Sequence, residues 1–125
     1  MASIIYVEDD DLMGSVVKDI LTAAGHRVRV VEHGTHGFEA IAAERPDMVI
    51  LDIALPGMSG IEVVTGMREL PETRDTPVLM LTASRSEAVA TEAMAAGADD
   101  LMIKLVSYSE LVERVEQVLG SRVRG

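Results

Sequence analysis

The segment MVILDIALPG, residues 48–57, places an apolar run, a carboxylate and a chain reversal next to one another. Four apolar residues without polar alternation are typical of a strand that is buried on both faces of a parallel sheet. The run stops at Asp52, and Pro56-Gly57 then ends the regular structure. A carboxylate at the end of a buried strand loses hydration and therefore needs a compensating partner. The segment thus predicts a parallel sheet with an acidic group at one edge.

The same alternation extends along the whole chain. The predicted strands cover residues 3–7, 28–31, 48–51, 77–82 and 101–103, and the predicted helices cover residues 12–24, 35–44, 61–70, 86–96 and 107–119. Strict alternation of strands and helices predicts an α/β fold with helices on both faces of a parallel sheet. The simplest arrangement is the flavodoxin-like, doubly wound (βα)5 sheet with strand order 2-1-3-4-5. Since no linker or repeat interrupts the 125 residues, we expect one domain over residues 1–125.

The composition argues against several functional classes. The formal net charge of −10 opposes binding to nucleic-acid phosphates and to anionic membranes. There is no cysteine for disulfide or thiolate chemistry. The first ten residues carry no basic region and only a short apolar run, unlike a signal peptide. We therefore expect a cytoplasmic protein that contacts neither nucleic acid nor membrane directly.

Polar residues follow four of the predicted strands. Glu8 and Asp9 follow the first, Asp52 the third and Lys104 the fifth, while Thr82 ends the fourth. Carboxyl ends of parallel strands meet in one crevice, where ligands bind. Carboxylates about 5 Å apart repel by roughly 3 kcal/mol per pair at an effective dielectric constant near 20, more than one lysine offsets for the whole set. Mg²⁺ suits such oxygen ligands, and a central aspartate can attack a phosphoryl group while Thr82 and Lys104 bind its oxygens.

These residues carry a resemblance that covers essentially the whole chain. Glu8-Asp9, the segment LDIALPGMSG, the segment LTA with Thr82, and AGADD before Lys104 resemble the receiver domain of two-component response regulators. The resemblance implies that Asp52 accepts a phosphoryl group from a histidine kinase or a histidine phosphotransfer protein, which changes the affinity for a downstream effector protein. The acyl phosphate then hydrolyses and resets the switch. The implied magnesium ligands are Glu8, Asp9, Asp52 and the main-chain carbonyl of Ala54, and the implied phosphoryl-binding residues are Thr82 and Lys104.

Two positions depart from the family pattern. Leu105 stands where the family usually has proline after a cis peptide bond. A cis bond costs about 2.5–4 kcal/mol without proline, so we predict a trans bond between residues 104 and 105 and a rearranged loop. Leu101 occupies the switch position, where an aromatic residue is common, and leucine has no hydroxyl to exchange a hydrogen bond. We therefore expect the link from the phosphorylation pocket to the outer surface to be weaker or to use other residues.

Other functions remain open on the sequence. The departures are compatible with a phosphate-independent, protein-binding pseudo-receiver, and the chain is also compatible with a receiver fragment of a longer DNA-binding regulator. A phosphatase of the haloacid dehalogenase type needs a second aspartate two residues after the nucleophile, where this chain has Ala54. A nucleotide-binding Rossmann domain needs a glycine-rich loop where this chain is acidic. We expect no enzyme beyond a domain that assists its own phosphorylation and dephosphorylation.

Several residues have simpler structural interpretations. Asp10 and Asp11 are predicted to cap the first helix. Ser107 and Glu110 have the spacing of a capping box at the last helix. The three histidines are predicted to be surface residues because they show no common ligand spacing. They are His26, His33 and His36.

Overall fold

The computed structural model describes residues 1–104 and 107–122 and contains a five-stranded parallel sheet. The strands are β1 Ser3–Val7, β2 Arg27–Val31, β3 Met48–Leu51, β4 Val78–Thr82 and β5 Asp100–Ile103. The helices are α1 Asp11–Ala23, α2 Gly34–Glu44, α3 Gly60–Glu69, α4 Glu87–Ala96 and α5 Tyr108–Leu119. The strand order is β2-β1-β3-β4-β5, which confirms the predicted flavodoxin-like arrangement.

Two apolar clusters fill the two faces of the sheet. Successive residues of a strand point to opposite faces, and every residue of β3 is fully buried. Met48 and Ile50 belong to the cluster beneath α1 and α5, together with Leu21 and Leu111. Val49 and Leu51 belong to the cluster beneath α2, α3 and α4. This two-sided burial explains why the MVIL run contains no polar residue.

Polar side chains begin the helices. Asp10 accepts a hydrogen bond from the backbone N–H of Met13 at 2.9 Å, which confirms its predicted capping role. The hydroxyl of Ser107 accepts from the backbone N–H of Glu110 at 3.2 Å and so caps α5, which confirms the first hydrogen bond of the predicted capping box. The carboxylate of Glu110 accepts from the Ser107 hydroxyl at 3.0 Å. A capping box with both hydrogen bonds begins α3 at Ser59, which the sequence interpretation missed although the SxxE spacing is present. Within the described ranges, no helix is long and apolar enough to cross a membrane.

The predicted surface position of His26 is wrong. Its side chain is buried, its Nδ1 accepts the backbone N–H of Ala2 at 3.1 Å, and its Nε2 lies 3.1 Å from a carboxylate oxygen of Glu116. The ring thus joins the start of β1 to α5. Local sequence gives no sign of this burial, because the partner lies 90 residues away. His33 is half-buried and His36 is exposed.

One of the two departures from the family pattern, Leu101, lies within β5. Leu101 is half-buried against the cluster beneath α2, α3 and α4. The backbone N–H of Lys104 donates to the carbonyl of Thr82 at 2.7 Å and extends the pairing with β4 by one residue. The predicted trans bond between residues 104 and 105, and the predicted rearrangement of the loop at Leu105, lie outside the described residues.

Candidate functional site

The sheet holds the backbone of three site residues one position beyond their strands. The N–H of Glu8 donates to a carbonyl of β2 at 2.9 Å, that of Asp52 to β1 at 3.1 Å, and that of Lys104 to β4 at 2.7 Å. Glu8, Asp52 and Lys104 are therefore fixed by the same hydrogen-bonding pattern that builds the sheet. Their side chains meet at its carboxyl edge because neighbouring parallel strands end there together.

Three carboxylates lie together at this edge. One oxygen each of Glu8, Asp9 and Asp52 can be chosen so that all lie within 4.8 Å of one another. Glu8 and Asp52 are only 1% and 6% exposed, whereas Asp9 faces solvent. The structure thus brings together the three acidic side chains that the sequence places at strand ends.

Lys104 lies between the two buried acids. Its Nζ is 2.6 Å from Oε1 of Glu8 and 3.1 Å from Oδ2 of Asp52. Burial favours the neutral amine, but the hydrogen bonds to Glu8 and Asp52 outweigh burial and hold the pKa of Lys104 above its ordinary value. The lysine is therefore a cation at neutral pH.

The donor set fits a hard divalent cation. Two unit charges 4.8 Å apart repel by about 3.5 kcal/mol at an effective dielectric constant near 20. One lysine offsets only part of the repulsion among three carboxylates. Mg²⁺ takes oxygen ligands, usually keeps several waters and needs few protein carboxylates, so an exposed Asp9 beside two buried acids suits it.

Two further predicted residues lie on the neighbouring segments. Thr82 ends β4 and is only 4% exposed, and its hydroxyl oxygen accepts the backbone N–H of Ser84 at 3.1 Å. A hydroxyl that accepts a hydrogen bond still has its own proton to donate. Ala54 is exposed in the loop after β3, two residues past Asp52.

The loop after Asp52 is tied to the beginning of α2. The backbone N–H of Gly34 donates to the carbonyl of Pro56 at 2.9 Å. Gly57 has a φ of +76°, a left-handed conformation that side chains rarely adopt, and an added Cβ would overlap the ring of His33. These constraints support the prediction that Gly57 serves a backbone turn.

Tyr6 is a neighbour of the site that the sequence interpretation missed. Its side chain is fully buried, and its hydroxyl donates to Oε1 of Glu8 at 2.9 Å. Burial, followed by the charge of Glu8, raises the pKa of Tyr6 far above its ordinary value, so the phenol stays protonated. The available signal is a tyrosine within an otherwise aliphatic strand, two residues before an acid, because a buried hydroxyl needs a partner.

Comparisons with solved structures support the same arrangement. The receiver domain of sensor histidine kinase PA1611 from Pseudomonas aeruginosa, whose structure has a magnesium ion coordinated in the active site cleft, superposes with a TM-score of 0.89. It is 26% identical, and the match covers 96% of this chain and 98% of that chain.

Two of the sequence relatives are named as transcriptional regulatory proteins. The transcriptional regulatory protein AfsQ1 of Streptomyces coelicolor is 34% identical over 119 residues, which cover 95% of this chain and 52% of that protein. The phosphate regulon transcriptional regulatory protein PhoB of Rhizobium meliloti is 36% identical over 119 residues, with the same shares of 95% and 52%. The chain therefore spans about half the length of these curated relatives. The sequence profile of the response regulator receiver domain matches residues 4–116, and this chain belongs to that family.

Proposed function

We propose that this chain is a phosphorylation-dependent switch in a two-component phosphorelay and that Asp52 is its phosphoacceptor. The observation that carries the proposal is a buried Asp52 with Lys104 on one oxygen and two further acids within 4.8 Å. The donor is a phosphohistidine on a histidine kinase or a histidine phosphotransfer protein. A carboxylate oxygen of Asp52 attacks phosphorus, the N–P bond breaks, and its electron pair returns to the imidazole nitrogen, which takes up a proton.

The magnesium ligands in this proposal are the side chains of Glu8, Asp9 and Asp52 and the main-chain carbonyl of Ala54. When bound, Mg²⁺ supplies positive charge to the carboxylates and to the incoming phosphoryl oxygens. The support is the close, oxygen-only donor set and the magnesium ion in the PA1611 receiver domain. The sheet fixes the backbone of Glu8 and of Asp52 through its own hydrogen bonds, which holds the two residues at the same edge.

Lys104 and Thr82 are proposed to bind the phosphoryl group on Asp52. Lys104 already contacts Oδ2 of Asp52 and, having three N–H donors, can engage phosphoryl oxygens as well. Its raised pKa keeps it charged for this purpose. The hydroxyl of Thr82 has a proton to donate from the neighbouring strand end. The same groups remain in place when water hydrolyses the acyl phosphate.

The output is proposed to be a change in affinity for an effector protein. The net charge of −10 supports a cytoplasmic module that contacts neither nucleic acid nor membrane itself. We propose that residues 1–125 form one receiver domain, which assists the phosphorylation and dephosphorylation of its own Asp52. Leu101 at the switch position has no hydroxyl, which supports a coupling that differs from the aromatic switch.

A second candidate is a receiver that controls a DNA-binding region on the same polypeptide. It is favoured by the names of the relatives AfsQ1 and PhoB and by the fact that this chain spans about half of their length. In this candidate, the phosphorylation chemistry at Asp52 is unchanged and only the output differs.

Acetyl phosphate tests the proposal. Incubation of the chain with acetyl phosphate and Mg²⁺ is expected to add about 80 Da, the mass of one phosphoryl group. Asp52→Asn is expected to gain no mass, whereas Asp10→Asn, which keeps the helix cap, is expected to gain it as the wild type does. Absence of the mass gain in the wild type would overturn the proposal and favour a phosphate-independent protein-binding module.

A further inference from the structure

Tyr6 has a polar group that packing alone does not require. Its neighbours in β1 on either side are the aliphatic residues Ile5 and Val7, and Tyr6 lies fully buried in the cluster beneath α1 and α5. An aliphatic or phenylalanine side chain could fill this space without bringing a hydroxyl into it. The cost of burying the hydroxyl is offset by its 2.9 Å hydrogen bond to Glu8.

The two oxygens of Glu8 are used unequally. Oε1 accepts the Tyr6 hydroxyl at 2.9 Å and lies 2.6 Å from Nζ of Lys104. Oε2 accepts the backbone N–H of Asp10 at 3.4 Å, which is long for a hydrogen bond. One oxygen is therefore committed to protein donors, and the other has lone pairs left for a cation or for its water.

We propose that Tyr6 is a positioning residue that fixes the rotation of the Glu8 carboxylate and thereby sets the affinity of the pocket for Mg²⁺. This inference rests on the proposed function, since it concerns the magnesium site of the same pocket. In other proteins, removing a residue that hydrogen-bonds a metal ligand typically weakens metal binding about 10- to 100-fold. Lys104 contacts the same oxygen of Glu8, but it also contacts Asp52 and is proposed to bind the phosphoryl group, so it is shared among these groups.

Tyr6 can keep this role throughout a phosphorylation cycle. Its side chain is fully buried, and its hydroxyl donates to Oε1 of Glu8 at 2.9 Å whether or not Lys104 stays in contact with that oxygen. When Lys104 turns toward a phosphoryl group on Asp52, the buried Glu8 still has the Tyr6 hydrogen bond. The buried charge of Glu8 therefore keeps one side-chain donor.

The chain offers a matched pair of variants, since its two tyrosines are Tyr6 and Tyr108. Tyr6→Phe removes the buried hydroxyl and keeps the ring, whereas Tyr108→Phe removes a hydroxyl from a side chain that is 53% exposed on α5. In calorimetric titrations with MgCl₂, we expect Tyr6→Phe to bind Mg²⁺ about 10-fold more weakly than the wild type. Tyr108→Phe is expected to bind as the wild type does. A merely structural role for Tyr6 would lower the urea midpoint of unfolding but leave the dissociation constant unchanged, and that result would overturn the inference.

A second measurement tests the inference even if Tyr6→Phe does not fold. The chain has no tryptophan, so in Tyr108→Phe the tyrosine absorbance reports on Tyr6 alone. Because a cation on Glu8 withdraws charge from the oxygen that Tyr6 contacts, we expect the Tyr6 spectrum to shift with the same midpoint as the calorimetric titration. A spectrum that stays constant while Mg²⁺ binds would overturn the inference. If Mg²⁺ binds neither to the wild type nor to this variant, the magnesium site of the proposed function fails, and the inference fails with it.

Discussion

Asparagine in place of Asp9 is expected to make the magnesium-free protein more stable and, at the same time, insensitive to Mg²⁺. The Asp9 carboxylate lies within 4.8 Å of carboxylate oxygens of Glu8 and Asp52. Within residues 1–104 and 107–122, Lys104 forms ion pairs with those two acids, and no cation forms one with Asp9. Removing the charge of Asp9 therefore relieves repulsion without breaking an ion pair.

The size of the effect follows from the separation. At 4.8 Å, each pair of charges repels by about 3.5 kcal/mol at a dielectric constant of 20 and by about 1 kcal/mol at that of water. Asp9 is exposed, so the lower value applies to both of its pairs. Part of the repulsion between the adjacent residues Glu8 and Asp9 persists in the unfolded chain. We expect a net stabilisation of about 1–2 kcal/mol, or roughly 4 °C in Tm per kcal/mol for a domain of this size.

Thermal and urea unfolding with and without MgCl₂ measure both parts of this prediction. A bound cation stabilises the wild type by RT ln(1 + [Mg²⁺]/Kd), which is about 1.4 kcal/mol at ten times Kd. Asp9→Asn is expected to lose this increment. Asp10→Asn is the matched control, because it removes the neighbouring charge, keeps the cap on Met13 and is expected to retain the magnesium response.

Two results would refute this reasoning. An Asp9→Asn protein that is less stable than the wild type without Mg²⁺ would show that the clustered carboxylates do not repel to a measurable extent. An Asp9→Asn protein that is stabilised by Mg²⁺ as strongly as the wild type would show that Asp9 is not a ligand. The lower stability of Asp9→Asn would refute the predicted repulsion only if Asp10→Asn is as stable as the wild type, because Asp10→Asn changes the net charge by the same amount.

Three further predictions concern the sheet edge and its supports. The pKa of Lys104 is raised in the folded protein, so its ion pairs contribute their full stability below the unfolded-state pKa of about 10.4 and lose it as the pH rises through the folded-state pKa. The urea midpoints of the wild type and of Lys104→Met should therefore converge at strongly alkaline pH. A difference that stays constant with pH would contradict this. Gly34→Ala places a Cβ against the backbone carbonyl of Met58 and should lower the free energy of unfolding in urea by about 3 kcal/mol. Gly120→Ala is the control and should be nearly neutral, because its Cβ would be 3.7 Å from its nearest neighbour. Equal losses of stability in the two variants would show that the loop at Met58 adapts. Nitrogen NMR should find the proton of His26 on Nε2, because Nδ1 accepts a backbone N–H, and a proton on Nδ1 would contradict the structure.

Most of the fold follows from local pattern. Short apolar runs of three to six residues between amphipathic segments give the number and type of elements, and the predicted bounds differ from the observed ones by at most one residue. Pro77, for example, begins the predicted fourth strand but precedes the observed β4, although its carbonyl accepts the backbone N–H of Val49 at 2.9 Å. Proline has no N–H to donate to a neighbouring strand, so Pro77 joins the sheet only through its carbonyl and β4 begins at Val78.

The contacts that local pattern does not reveal join distant parts of the chain. His26 contacts Ala2 and Glu116, which are 24 and 90 residues away. Arg68 at the end of α3 donates to the carbonyl of Gly97 and pairs with Asp99 at 3.2 Å, which fixes the approach to β5. Such contacts depend on which elements the fold places side by side. No short segment of a single sequence carries that information.

The difference between what was predicted at the site and what was missed has a physical reason. Asp52 and Glu8 are conspicuous because a carboxylate at the end of a buried strand is unfavourable on its own, and a group that violates local rules must have a cause. Tyr6 offsets such a cost by donating to Glu8, and His26 accepts the buried N–H of Ala2; neither residue violates a local rule, so the sequence marks them only weakly. Sequence therefore shows the groups that need compensation, whereas the structure shows those that provide it. The residues that hold Glu8 in place belong to the second kind, and substitutions there should alter magnesium affinity while the acids themselves stay unchanged.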